Sequence, residues 1–322
     1  MRIRFTQIDG RLPNLALMRL AAYHRARGDE IVFNPSLTRD ITEGHYDRVY
    51  GSAVFSTSKQ RINTFCFHWP DAILGGSGTG NTVTVEDIVG GSWEHADYSA
   101  YPEYDASLGY STRGCRLHCP FCHVWKTEGK VKSVNTINEL WRGPGHTRKI
   151  SLLDNDFFGQ PVKQWMARVD EIVNGNFRIC LSQGINLRKL NADEAAALAT
   201  LQYRDISFRE RRIYTALDDI THARAFFRGV DRLAAVGIPP KHLMVFMLIG
   251  FKDEPMDRIL ERFDAIANAG ALPYPMVYQT SATPRDERLW ALRQFQRWAV
   301  TGLYRAVPWT DYIPNYRRPR AA

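Results

Sequence analysis

The sequence predicts an α/β protein in which a small Rossmann-like parallel-sheet domain precedes a partial (β/α)6 TIM-like barrel. Three observations carry this. Short apolar, β-branched runs alternate with segments whose apolar residues recur at helical spacing, the pattern of parallel strands joined by helices. Six such strand units fall within residues 108–278; each βαβ step needs roughly 30 residues and a closed eight-stranded barrel roughly 250. With 322 residues, 44% of them hydrophobic, the chain can bury a core in two modest domains.

In the first domain Arg2 to Ile8 reads as a strand. Asn14 to Arg27 reads as a helix, with Leu15, Leu17, Met18, Leu20 and Ala21 at helical spacing and Gly28 as its C-cap. Glu30 to Phe33 and Arg48 to Phe55 are strands, a helical stretch begins near Ser56, and DAILGG is a fourth strand ending in glycines. The strand ends FSTS and GGSGTGN are expected on the ligand-facing edge of such a sheet. The glycines of GGSGTGN fit neither the P-loop nor the dinucleotide spacing, so they are weak grounds for a phosphate site. Residues 91–107 lack a period and are rich in Tyr, Ser and Pro; they read as an ordered connector with the domain boundary near residue 100.

The second domain, residues 101–282, has strands at Leu108 to Ser111, Lys149 to Leu153, Phe177 to Ser182, Arg212 to Leu217, Leu243 to Ile249 and Tyr274 to Tyr278. Helices fill the run after Cys119 and the segments at 161–175, 191–201, 218–237 and 256–270. Its chemistry is expected at the carboxyl ends of the strands. Residues 283–322 form a helical extension, with Trp290, Leu292, Phe295, Trp298 and Leu303 near one helix face that packs on the barrel.

The net charge is +8. It is spread thinly and is densest in the terminal NYRRPRAA, which reads either as a solvated basic end or as a nucleic-acid contact. The N-terminus lacks the apolar core of a signal peptide, and no window approaches eighteen uninterrupted apolar residues, so a cytoplasmic protein with no membrane partner is expected. In a reducing compartment five cysteines do not make a disulfide framework. Cys66 and Cys180 sit among apolar residues and read as small buried hydrophobes.

The other three, Cys115, Cys119 and Cys122, have the spacing C-x3-C-x2-C. Zinc would want a fourth ligand, and without a second cysteine pair His118 or His123 would have to supply it at close range. A redox pair at Cys119 and Cys122 leaves Cys115 unexplained. A [4Fe–4S] cluster on three thiolates leaves one iron open to a ligand.

This spacing, with the aromatic Phe121 before the third cysteine and a place after the first strand of a six-unit domain, resembles the motif of the radical S-adenosylmethionine (radical SAM) superfamily. The resemblance implies a [4Fe–4S] cluster held by Cys115, Cys119 and Cys122. It also implies S-adenosylmethionine at the open iron, reductive cleavage to a 5′-deoxyadenosyl radical, hydrogen abstraction from a substrate, and an electron donor such as flavodoxin or ferredoxin. The segment LLDND stands where the family often has a GGE-like contact to the methionine amine, which makes Asp154 and Asn155 candidates, with Asp156 beside them. VFMLIGFKDE resembles the family's G-x-I-x-G-x-x-E pattern and puts adenine near Leu248 and Gly250, although Phe246 stands at the first glycine. Gln183 and Arg188 follow the third strand, and a guanidinium at Arg188 suits the methionine carboxylate. No catalytic residue is assigned.

The first domain resembles the cobalamin-binding-like domain found before the barrel in one branch of that superfamily. It has no D-x-H-x-x-G segment and only four clear strands, so cobalamin is doubtful and a docking or substrate-positioning role fits better. For the substrate, the charge excess and the basic tail beside Trp309, Tyr312 and Tyr316 suit a nucleotide or a base in nucleic acid, with a peptide or other anionic small molecule as the alternative. The competing classes are a nucleic-acid-binding protein with a structural metal cluster and a non-catalytic zinc protein.

Overall fold

The structure is a computed structural model that describes residues 1–81, 83–91, 93–280 and 282–312. The chain is mixed α/β with parallel sheets and divides into two compact units, Met1–Asp105 with Gln279–Thr283, and Ala106–Tyr278 with the chain from Pro284 onward. The boundary thus falls after residue 105 rather than near 100, and the terminal helix is part of the second unit rather than a separate extension. Among the described residues no helix is long and apolar enough to cross a membrane.

In the first unit, β1 (Arg2–Gln7), β2 (Glu30–Phe33), β3 (Arg48–Ser52) and β4 (Ile73–Gly75) form a parallel sheet in the order β2-β1-β3-β4. Side chains alternate across a strand, so the sheet has two cores. Ile3, Phe5 and Tyr50 pack with Leu17, Leu20 and Ala21 of α1 (Leu15–Ala26) and Val85 of α3 (Val85–Val89). Ile8 and Ala53 pack with Phe65 of α2 (Lys59–His68) and Trp69. Gly76 and Gly78 of GGSGTGN serve close approach: a Cβ at Gly76 would lie 2.2 Å from the Ala53 carbonyl oxygen, and one at Gly78 2.7 Å from the Phe55 nitrogen. At the carboxyl end of β1, the Tyr101 hydroxyl donates to Gln7 Oε1 (2.6 Å) and accepts the Asn14 N–H (3.2 Å). The connector therefore sits on the edge where open α/β sheets receive ligands.

The second unit carries two parallel sheets. One has the order β10-β9-β8-β5, from β5 (Ser107–Gly109), β8 (Lys149–Leu152), β9 (Arg178–Leu181) and β10 (Gln202–Tyr203). The other is β11 (Ile213–Ala216), β12 (Leu243–Ile249) and β13 (Leu272–Val277), in chain order. A parallel bridge from Ile185 to Thr215 links the chain after β9 to β11. The six expected strands are thus all present, while β10 and a short antiparallel pair, β6 (Thr112–Arg113) with β7 (Lys132–Ser133), carry too few residues for a periodic signal.

Helices α6 (Val162–Asn174), α7 (Ala192–Thr200), α8 (Ala223–Ala235) and α9 (Met256–Asn268) follow their strands as expected. The run after Cys119 is only the single turn α4 (Val124–Thr127), and α5 (Ile137–Leu140) is equally short. One core joins them, including Ile150, Ile179, Val245, Phe226 and Phe263. Helix α10 (Glu287–Val300) docks Leu292, Phe295, Trp298 and Ala299 on it, whereas Trp290 and Leu303, expected on the same face, are 41% and 40% exposed. Cys180 is buried as expected, while Cys66 on α2 is only half-buried.

Candidate cysteine loop and adjoining cleft

After β5 the chain does not open directly into a helix. Thr112 stands opposite Ser133 and Arg113 opposite Lys132, and Thr112 Oγ1 donates to the Lys132 carbonyl (2.9 Å). This ribbon closes the base of a loop, residues 114–131, that holds all three clustered cysteines. Gly114 is required at its start: φ is +85°, and a Cβ would lie 2.5 Å from the Lys130 carbonyl oxygen.

Cys115, Cys119 and Cys122 are free and half-buried. The Leu117 N–H donates to Cys115 Sγ (3.4 Å) and Arg188 Nη2 to Cys119 Sγ (3.8 Å). Burial pushes the Cys115 thiol up to about 11 against the Leu117 bond, with Asp156, Cys119 and Cys122 adding to the rise. Burial also raises Cys122. A metal bound here must therefore displace protons. Among the described residues no three His, Cys, Asp or Glu side chains are arranged to hold a single metal ion. Three soft sulfur donors, two of them already accepting hydrogen bonds, do suit an iron–sulfur group.

Beside the loop lies a cleft of about 570 Å³ lined by Cys119, Phe121, Arg188, Asp218, Leu248 and Lys252 among others, a size suited to a small-molecule ligand. Phe121 meets Phe251 edge-on at 5.5 Å. The Arg188 Nη1 lies 3.0 Å from His222 Nδ1, so its guanidinium joins the cysteine loop to the far wall. Burial raises the carboxyls of Asp218 and Glu254. Asp218 accepts the Leu248 N–H (2.8 Å), and Glu254 pairs with the buried Arg262 (2.8 Å).

The structure brings Phe121, Arg188 and Leu248 to the cleft, but not the remaining expected ligand contacts. Leu248 lines it with both backbone groups engaged, since its carbonyl accepts from Arg262 Nη2 (2.9 Å). Its N–H is taken, while the carbonyl keeps a second lone pair. Gly250 packs instead: φ is +84°, and a Cβ would lie 2.6 Å from Leu292 Cδ1. Gln183 is exposed in the turn after β9. Asp154 is 2% exposed and accepts the N–H groups of Ser111 (2.7 Å) and Thr112 (3.1 Å) and the Ser111 hydroxyl. Asn155 Nδ2 donates to Glu128 Oε2 (3.3 Å). These two face the cysteine loop, not the cleft.

Sequence reasoning missed Lys252, His222 and Arg116. Lys252 (φ 52°) and Asp253 (φ 56°) are consecutive non-glycine residues in the left-handed region, a conformation that persists only where its surroundings enforce it. No sequence signal marks that strain. Arg116 sits between two of the clustered cysteines, and its partner is the second aspartate of LLDND; the Asp-x-Asp pattern at a strand tip was the available hint.

Of the aromatics expected beside the basic tail, Trp309 packs on Phe295 (5.2 Å) and Trp298 (5.7 Å), and Tyr312 stacks on Trp309 (5.7 Å). Both belong to the core's rim. Tyr316, Arg317, Arg318 and Arg320 lie outside the described residues. Compared with known proteins, the chain matches no protein-family model and no curated protein.

Proposed function

We propose that the protein is a radical S-adenosylmethionine enzyme in which Cys115, Cys119 and Cys122 hold a [4Fe–4S] cluster and the adjoining cleft takes S-adenosylmethionine. In this reading β5, β8, β9, β11, β12 and β13 are the six strands of a partial (β/α)6 barrel, and the first unit is a docking domain without cobalamin. The observation that carries it is the set of three free, neighbouring thiols in one tied loop, one of which lines a cleft of ligand size.

Cys115, Cys119 and Cys122 would hold the cluster, which would supply the one-electron reduction that cleavage of S-adenosylmethionine requires, the electron coming from an external donor. The chain's own residues bind and orient. Phe121 and Phe251 form an apolar wall, Arg188 offers a guanidinium to a carboxylate, and Asp218 offers the cleft a carboxyl fixed by the Leu248 N–H. An external reductant such as flavodoxin or ferredoxin is the implied partner. An anionic substrate, a nucleotide among the candidates, suits the +8 charge and the cations Lys252 and Arg258 on the same cleft.

The test is anaerobic reconstitution. About four irons per chain are expected, as for one [4Fe–4S] cluster, lost in Cys115→Ala, Cys119→Ala and Cys122→Ala but kept in Cys66→Ala and Cys180→Ala. Reductant and S-adenosylmethionine should then yield 5′-deoxyadenosine. Stoichiometric zinc without iron would end the proposal.

A further inference from the structure

A loop as long as residues 114–131 has much conformational freedom to lose before three side chains on it can share one ligand. Something in the fold has to limit that freedom in advance. The contacts that do so converge on three consecutive residues at the carboxyl end of β8.

Asp154 receives the Ser111 and Thr112 N–H groups and the Ser111 hydroxyl, just before β6 and at its first residue. Asp156, also 2% exposed, receives the Arg116 N–H (3.0 Å) and one edge of its guanidinium, Nε at 2.8 Å and Nη2 at 3.0 Å. The outer end of Arg116 reaches the buried Glu194 (3.8 Å). Between these, Asn155 holds Glu128, whose Oε2 accepts the Gly114 N–H (2.8 Å) and whose Oε1 pairs with Arg113 (3.2 Å). Residues 111, 112, 113, 114 and 116, on both sides of Cys115, are thus tied directly or through Glu128 to one strand tip.

We propose that Asp154, Asn155 and Asp156 form a three-point clamp that sets the shape of the cysteine loop before anything binds to it. They are positioning residues and make no ligand contact of their own. The consequence for iron rests on the function proposed above, while the clamp itself is a property of the unloaded chain. Two carboxylates this deeply buried are costly to desolvate unless nearly every oxygen is bonded, and the donors here supply that. What the arrangement gains is geometry: supporting hydrogen bonds of this kind hold ligating side chains in their productive arrangement.

The experiment uses the full-length, reduced, unloaded protein and reads two quantities, the rate of Cys115 alkylation by iodoacetamide and amide hydrogen exchange across residues 111–116. Losing a charge-assisted bond should raise both by roughly ten- to a hundredfold in Asp156→Asn and Arg116→Gln, because such bonds hold the loop closed. If the two residues act as one contact, the double variant Asp156→Asn with Arg116→Gln should be no looser than either single variant. Gln183→Ala, at an exposed turn of the same unit, should match wild type. Should Asp156→Asn not fold, Arg116→Gln, whose side chain is 33% exposed, reads the same contact. Reconstituted variants should in addition hold less iron and show a weakened cluster spectrum. Alkylation and exchange within twofold of wild type in both single variants would overturn the clamp whatever the iron content. A wild type that takes up no iron would overturn the cluster reading and leave the alkylation result to decide the clamp.

Discussion

Asp154 shows how a single residue can be found in the sequence while the groups bonded to it are not. Its carboxyl is buried, and burial pushes it from 3.8 up to about 7, against the bonds from Ser111 and Thr112 and with Glu128 as the like charge that adds to the rise. A folded-state pKa above the unfolded one means that the folded form holds its proton more tightly. Stability from this group is therefore fully present below about pH 4 and declines as pH rises to about 7. Urea unfolding of wild type and Asp154→Asn across pH 4 to 8 should show a stability difference that moves against wild type through that window and is level above it; a flat difference would mean that the carboxyl titrates normally. The spacing of the cysteines was legible because residues on one loop are close in sequence. The partners of Asp154 are 43 and 42 positions away, so only the folded pairing of β5 with β8 could reveal which N–H groups this carboxyl accepts. Leu248 is a similar case: a strand-end pattern located it, but what its N–H and carbonyl bond to depends on Asp218 and Arg262.

At the level of elements, regular strands and helices of useful length were legible and short or compensating ones were not. Helix α10 illustrates both. Its apolar period identified a helix, yet the buried set is Leu289, Leu292, Phe295, Trp298 and Ala299, a stripe at i, i+3 spacing that leaves Trp290 on the other side. Leu303 falls beyond Gly302, whose φ of +77° has already ended the helix. Phe295 is fully buried, with ring contacts to Phe263 (5.4 Å), Trp298 (5.3 Å) and Trp309 (5.2 Å). Phe295→Ala should therefore cost about 3–5 kcal/mol in urea unfolding, as large-to-small changes in a packed core do, while Leu303→Ala should stay within about 0.5 kcal/mol. A small effect at Phe295 would mean that α10 is not part of the second unit's core.

For the whole molecule, the excess of positive charge and the aromatic content looked like one feature in the sequence, and the fold gives two of those aromatics a packing role. The charge is real, 42 Lys and Arg against 34 Asp and Glu. The aromatics that stood beside it have other work: Trp309 and Tyr312 close the rim of the core through Phe295 and Trp298. Stacking on bases needs open ring faces, and it is the part of single-strand binding that survives salt. Attraction between cations and phosphates is the part that does not, because each phosphate neutralised releases counterions. Binding of short single-stranded DNA or RNA should accordingly be almost wholly electrostatic, with a log–log salt slope near 0.7 per phosphate contacted and little affinity left at high salt. Replacing Arg317, Arg318 and Arg320 together should lower that slope, and Trp309→Phe should not change affinity. Appreciable binding that persists at high salt and weakens in Trp309→Phe would show that the ring leaves the core to stack, whereas no binding even at low salt would leave the charge as solubilising surface and remove nucleic acid from the substrate classes.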